Sequence, residues 1–344
     1  MIDYLTSGYT IAVAVILFIT GILVFIAKST KNAADTLDNI KRIRDFFVPR
    51  PKPDTTDPDG QKPQLIHPTS PSHYYKVGLN YLEQLKYADA QKYFQYALKK
   101  QVQATGENHP DTAKILNSLA SVYDDMADYD KAIKYYNHAI AASEDAQDKN
   151  SVAYATFCNN LALVYWKQGE YNKALEWFLK ALAIYENVLG KEHPNTATTY
   201  NNIAGVYRAQ GDYDKALEWY QKALDIIEKV LGTEHPLTAT TYNNIAGVYY
   251  KQGDYDKALE WFQKALAISE KVLGKEHPLT ATTYNNIASV YDDQGKYAEA
   301  LEEYEKALRI FEKAHGPNHP HTQLVRRNIV FVHEKMGNAA GGSG

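Results

Sequence analysis

The 344-residue sequence predicts an all-α chain: a superhelical solenoid of six helical hairpins, closed by a C-terminal capping helix and preceded by one transmembrane helix. Three observations predict it. The stretch Thr196–Leu237 is repeated almost letter for letter by Thr238–Leu279 and more loosely by Thr280–His321, a period of 42 residues. Alanine recurs at that spacing at Ala90, Ala132, Ala174, Ala216, Ala258 and Ala300, and no insertion disturbs the ladder. Near the N-terminus, no charge occurs between Asp3 and Lys28.

Thr10–Ala27 is almost wholly apolar. Extended from Leu5 it makes about 23 residues, enough to cross a hydrocarbon core of roughly 30 Å as a helix. A cleaved signal peptide would need a basic segment ahead of the apolar run, and the only side-chain charge there is Asp3. Residues 1–28 are therefore expected to be a membrane anchor. Lys28, Lys31, Lys41, Arg42 and Arg44 follow it, which places the repeats in the cytoplasm and the N-terminus outside. Exposure of the repeats on the cell surface is the alternative.

In residues 29–47, Leu37, Ile40, Ile43 and Phe47 recur at helical spacing between basic residues. Two readings stay open: an amphipathic helix lying along the headgroups, so that residues 5–47 contact lipid, or a stalk that self-associates. Residues 48–71 hold Pro49, Pro51, Pro53, Pro58, Pro63, Pro68 and Pro71 and little that is apolar, the composition of an extended, partly stiff spacer.

The repeats divide at about 72–110, 111–152, 153–194, 195–236, 237–278 and 279–320. In the fourth, Tyr200, Ile203, Ala204 and Tyr207 follow the i, i+3, i+4, i+7 pattern of a first helix. Gly211 ends it in the left-handed region and Asp212 caps the next helix. Ala216, Leu217, Tyr220, Ala223, Leu224 and Ile227 mark a longer second helix, closed by Gly232. His235, ahead of a proline, is biased away from helix, and Pro236 suits a first helical turn. Leu85 and Ala127 stand where later repeats have the turn glycine. Residues 321–337 form one more first helix without its partner. Arg326 and His333 occupy the positions that would meet the missing helix, as in a solvating cap. Residues 338–344 read as a flexible tail.

The Tyr/Ile/Ala/Tyr pattern of the first helix, then Gly-x-Tyr, Ala, aromatic and Ala in the second, resembles the tetratricopeptide repeat. The family's usual unit is about 34 residues. The longer second helix here, with its LG-x-EHP ending, is similar to the kinesin light chain type, which is also widespread in bacterial proteins. The resemblance covers residues 72–337 and implies a protein-binding scaffold with a concave groove lined by first helices.

The formal net charge of −4 offers nothing to nucleic acid. Cys158 is the only cysteine and reads as a small core residue. His109, His193, His235, His277 and His319 lie in comparable loops. Successive copies stand about 8–10 Å apart, whereas zinc ligands converge at roughly 2 Å from one ion, so these histidines belong to the turn. No phosphate loop or paired catalytic carboxylate stands out, and neither an enzyme nor a cofactor is expected.

By the resemblance, the inward positions of the first helices are Asn117, Asn159, Asn201, Asn243 and Asn285. An amide both donates and accepts, so the row suits an extended peptide backbone; bonding between neighbouring repeats is the alternative. One turn on, the inward residues diverge: Asp124 and Asp125, Trp166 and Lys167, Arg208, Tyr250 and Lys251, then Asp292 and Asp293. The centre is basic and aromatic and the ends acidic. The expected function is a membrane-anchored scaffold binding a protein or extended peptide in its groove. A self-associating fibre or surface layer is the alternative.

Overall fold

The structure is a computed structural model and describes residues 70–341. The anchor at 1–28, the amphipathic segment at 29–47 and nearly all of the 48–71 spacer lie outside the described residues. Those that are described form thirteen helices and no strand. They pair as α1 (Pro71–Glu83) with α2 (Tyr87–Thr105), α3 (Pro110–Asp125) with α4 (Tyr129–Asp145), and α5 (Val152–Lys167) with α6 (Tyr171–Val188). Next come α7 (Pro194–Gln210) with α8 (Tyr213–Leu231), α9 (Pro236–Gln252) with α10 (Tyr255–Val272), and α11 (Pro278–Asp293) with α12 (Tyr297–His315). The helix α13 (Pro320–Gly341) closes the series. None of these helices is long and apolar enough to cross a membrane.

Each hairpin turns on a left-handed residue. Gly169, Gly211, Gly253 and Gly295 take φ of 79°, 81°, 79° and 75°, and Leu85 and Ala127 are forced into the same region at 57° and 59°. The second helices of repeats 2, 4 and 5 start with an aspartate cap; at Asp212 the carboxylate accepts from the Lys215 backbone N–H at 3.2 Å. The histidine before each proline has a role of its own. The Nδ1 atoms of His109, His193, His235 and His277 accept from the backbone N–H two residues on at 3.1 Å, capping α3, α7, α9 and α11. Beside them, Thr112, Thr196, Thr238, Thr280 and Thr322 each donate to a glycine carbonyl at 2.9 Å, locking the bend between hairpins.

The alanine ladder is the contact between paired helices. Ala90, Ala132, Ala174, Ala216, Ala258 and Ala300 are all 0% exposed, as are Ala120, Ala162, Ala204, Ala246 and Ala288 of the facing helices. Small residues on both sides let the helix axes approach closely. The alternating Phe94, Tyr136, Phe178, Tyr220, Phe262 and Tyr304 are buried behind them. Successive first helices also touch one another directly, α3 with α5 through α9 with α11, while across each boundary between hairpins the second helix packs on the first helix that follows. The stack therefore bends with the first helices on its inner side.

Two boundary expectations change. Pro71 opens α1 instead of ending the spacer, because Ser70 caps the helix through Oγ. Helix α13 runs through Gly341 into the expected tail, since Ala339 and Ala340 favour helix and no left-handed stop precedes them. Val330 and Phe331 of this helix remain 57% and 54% exposed.

Candidate binding groove on the first helices

The paired asparagines of the first helices are spent largely on the solenoid. Asn160 donates to Asn117 Oδ1 at 3.1 Å and Asn202 to Asn159 Oδ1 at 3.2 Å, so the second asparagine of one repeat holds the first of the repeat before. Asn328 reaches Asn285 Oδ1 in the same way at 3.4 Å. Asn201 and Asn243 donate instead to Thr241 and Thr283 of the next repeat, at 3.0 and 2.7 Å. Bonding between repeats, the alternative left open above, thus accounts for much of the ladder. Asn201 Oδ1 and Asn243 Oδ1 are the exceptions, both buried with no partner among the described residues. A buried acceptor of this kind calls for a donor.

The charges of the groove are also partly satisfied within the chain. Lys167 Nζ lies 2.8 Å from both carboxylate oxygens of Asp124 in the repeat before it. The Tyr250 hydroxyl donates to Asp293 at 2.6 Å, and Lys335 of α13 donates to Asp292 at 2.7 Å. Burial and the bond to Asp293 both hold the Tyr250 hydroxyl protonated, well above its ordinary range. Asp125 is raised as well, by burial and then by Asp124 beside it. The expected contrast between basic centre and acidic ends is therefore largely internal pairing.

Two cations escape it. Arg208 and Lys251 form no ion pair among the described residues; Lys251 Nζ instead sits 5.6 Å from the centre of the Tyr250 ring. The Arg208 guanidinium crosses onto α9 where Gly247 makes room, and a Cβ at that glycine would stand 2.7 Å from Nη1. Trp166 uses Gly205 similarly, its Cζ2 atom 3.6 Å from where a Cβ would be. Arg208, Asn243, Tyr250 and Lys251 line one cavity of about 810 Å³ across α7, α9 and α11. Asn117, Asn159, Asn201, Asn285, Trp166 and Lys167 do not line it. Asn244, Gly247, Asn286 and Ser289 line it too. Asn244 and Asn286 belong to the copied part of the unit, where nothing singles them out, and the change from Gly247 to Ser289 at one shared position is too small to mark a site.

Cys158 is fully buried, and burial pushes its thiol up to about 12.

An all-helical stack of repeated hairpins defines a class of repeat scaffold, and its family is shown by the match to the tetratricopeptide repeat model. That model fits residues 69–145, 153–229, 197–271, 237–313 and 286–340, and the chain belongs to this family. No curated protein sequence matches it. Among solved structures it is similar to BtubC (BKLC) from P. vanneervenii, at 23% identity and a TM-score of 0.52, over 73% of this chain and 92% of that one. It is also similar to a point variant of a putative kinesin light chain from Podosopora anserina with nearly identical TPR-like repeats. That match has 25% identity and a TM-score of 0.50, over 60% of this chain and 97% of the other. A Rap protein complexed with competence and sporulation factor matches at 16% identity and a TM-score of 0.54, over 78% and 76% of the two chains.

Proposed function

We propose that the repeats are a binding scaffold whose groove takes an extended acidic peptide across α7, α9 and α11. The observation that carries this is the convergence of Arg208 and Lys251, both without a carboxylate among the described residues, on a cavity that also contains Asn243 with its unpartnered oxygen. A peptide N–H would satisfy Asn243 Oδ1, and a carboxylate side chain would pair with Arg208 or Lys251. Tyr250, tied to Asp293, offers a fixed aromatic wall beside them. The Rap protein solved with competence and sporulation factor supports the reading by analogy.

The test is selection from a random peptide library displayed on phage, with the wild-type chain and the double variant Arg208→Glu, Lys251→Glu as baits. The expected result is enrichment of acidic peptides on the wild type and a swing to basic ones on the variant. Equal enrichment on both would overturn the assignment.

The proposal extends to residues 1–28 as the anchor that holds the scaffold at a membrane with its repeats in the cytoplasm, from the apolar run and the basic residues that follow it. Protease added outside intact cells should then spare the repeats; their digestion would reverse the orientation.

One observation favours self-association as a second reading: Val330 and Phe331 leave an apolar patch at the end of the stack. Light scattering should then give a mass above 38.8 kDa that returns to the monomer value in Val330→Asp, Phe331→Asp.

A further inference from the structure

The boundary between repeats 1 and 2 has lost a side chain that later boundaries keep. In repeats 4, 5 and 6, Tyr200, Tyr242 and Tyr284 each insert between consecutive second helices, and their hydroxyls donate to Glu186, Glu228 and Glu270. The rings of Tyr200 and Tyr242 lie 5.4 and 5.2 Å from Trp219 and Trp261, centre to centre. In repeat 3 the equivalent residue is Cys158, and Tyr154 enters the same slot from one turn earlier, donating to Glu144 at 2.5 Å. In α13 an arginine, Arg326, fills the slot against Glu312.

Only the boundary of α2, α3 and α4 differs. Leu116 replaces the tyrosine, Val102 the glutamate and Tyr135 the tryptophan. Ala142 stands where the later second helices carry Ile184, Ile226, Ile268 and Ile310. The two truncations, tyrosine to leucine and isoleucine to alanine, coincide with a cavity of about 270 Å³ lined by Leu98, Val102, Leu116, Tyr135, Ala141 and Ala142. Glu107, Asn108, Thr112 and His138 line it as well.

We propose that this slot binds an uncharged aromatic ring of the size of a phenylalanine side chain, supplied by a ligand in place of the ring the chain supplies to itself elsewhere. The shape argument is internal to the molecule: the same helices, packed the same way, close around a six-membered ring at four other boundaries. The chemistry follows from Val102. Where Glu186 accepts a phenol hydroxyl, Val102 offers no acceptor, so a hydroxyl carried to that position lacks the partner that holds it at the other boundaries. The slot therefore selects phenyl over phenol. Tyr135 presents the aromatic neighbour that Trp219 presents to Tyr200. This site involves none of the groove residues and stands whether or not the groove binds peptide.

The test uses the full chain with toluene and p-cresol as probes, titrated by saturation-transfer NMR. Toluene should bind saturably with a dissociation constant in the millimolar range, and p-cresol at least about fivefold more weakly. Leu116→Tyr refills the slot and should abolish toluene binding. Ala142→Ile, a milder filling, should weaken it at least about fivefold and guards against misfolding of the first variant, which circular dichroism would reveal. Arg208→Glu, Lys251→Glu should leave it unchanged. N-acetylphenylalanine amide distinguishes the source of the ring: displacement of toluene assigns the slot to a peptide side chain, and toluene bound but not displaced assigns it to a free aromatic molecule. Absence of saturable toluene binding, a preference for p-cresol, or equal binding to a folded Leu116→Tyr chain would overturn the proposal.

Discussion

Arg326 holds Glu312 with two donors, Nε at 3.1 Å and Nη2 at 2.6 Å, in the place where tyrosine hydroxyls hold the equivalent glutamates of earlier repeats. Among the described residues no second helix covers the outer face of α13, and a tyrosine in that place would lie bare. The guanidinium keeps the bond to the preceding repeat and tolerates water on its other side.

Arg326→Leu should therefore loosen α13 from the stack. Both partners are about two-fifths exposed, with side-chain values of 42% and 39%, which limits the loss to about 1 kcal/mol. Hydrogen exchange should show it as faster exchange in α13, with α3 to α9 unaffected.

Acidification should weaken the stack through its histidine caps. A cap of this kind accepts at Nδ1, so it requires the unprotonated ring. Burial holds His277 below the ordinary 6.5, and burial followed by His315 and His321 does the same for His319. A histidine lowered in the folded state gives stability that is complete above 6.5 and lost as pH falls through the folded value. The midpoint temperature should be flat from about pH 8 to 7 and decline below about 6.5. His277→Asp, whose carboxylate caps without needing neutrality, should flatten part of that decline.

Two glycines should respond oppositely to alanine. At Gly78 a Cβ would stand 2.7 Å from the Cδ1 and Cε1 atoms of Phe94, a ring with no room to move, and Gly78→Ala should cost about 1–3 kcal/mol. At Gly247 the obstacle is the mobile end of Arg208. Gly247→Ala should leave stability level or raise it by up to about 1 kcal/mol through helix propensity. It should also displace the guanidinium and weaken any acidic peptide selected on the groove. Thermal melts of both variants, with a binding assay of the second, separate these outcomes.

Leu85 should be improvable. Its φ of 57° is the left-handed value that glycine supplies in later turns, and its side chain is 66% exposed, so little packing is lost with it. Leu85→Gly should stabilise the first hairpin by about 1 kcal/mol, read as slower hydrogen exchange in α1 and α2.

The scaffold was legible in the chain because each repeat meets its neighbours through the same contacts, and identical contacts select identical residues at a fixed interval. Ala216 and its copies, the turn glycines and the Asp212-type caps could be placed from spacing alone. The histidine caps were half legible: the His-Pro pair located the turn, but nothing in it said that Nδ1 faces back along the helix. The groove was less legible, since its polar residues could serve a ligand or the solenoid equally well. Lys167 and Asp124, 43 residues apart, are an ion pair only because successive first helices lie side by side, and the same adjacency leaves Arg208 and Lys251 unpaired among the described residues. The slot beside Leu116 was not legible at all. Leucine, valine and alanine are ordinary core residues, and their smallness becomes a cavity only where α2, α3 and α4 bring all three to one place. Periodicity determined the fold, because it records what every repeat shares. Tertiary structure decided the sites, because each arises where side chains from different repeats meet and one repeat departs from the rest.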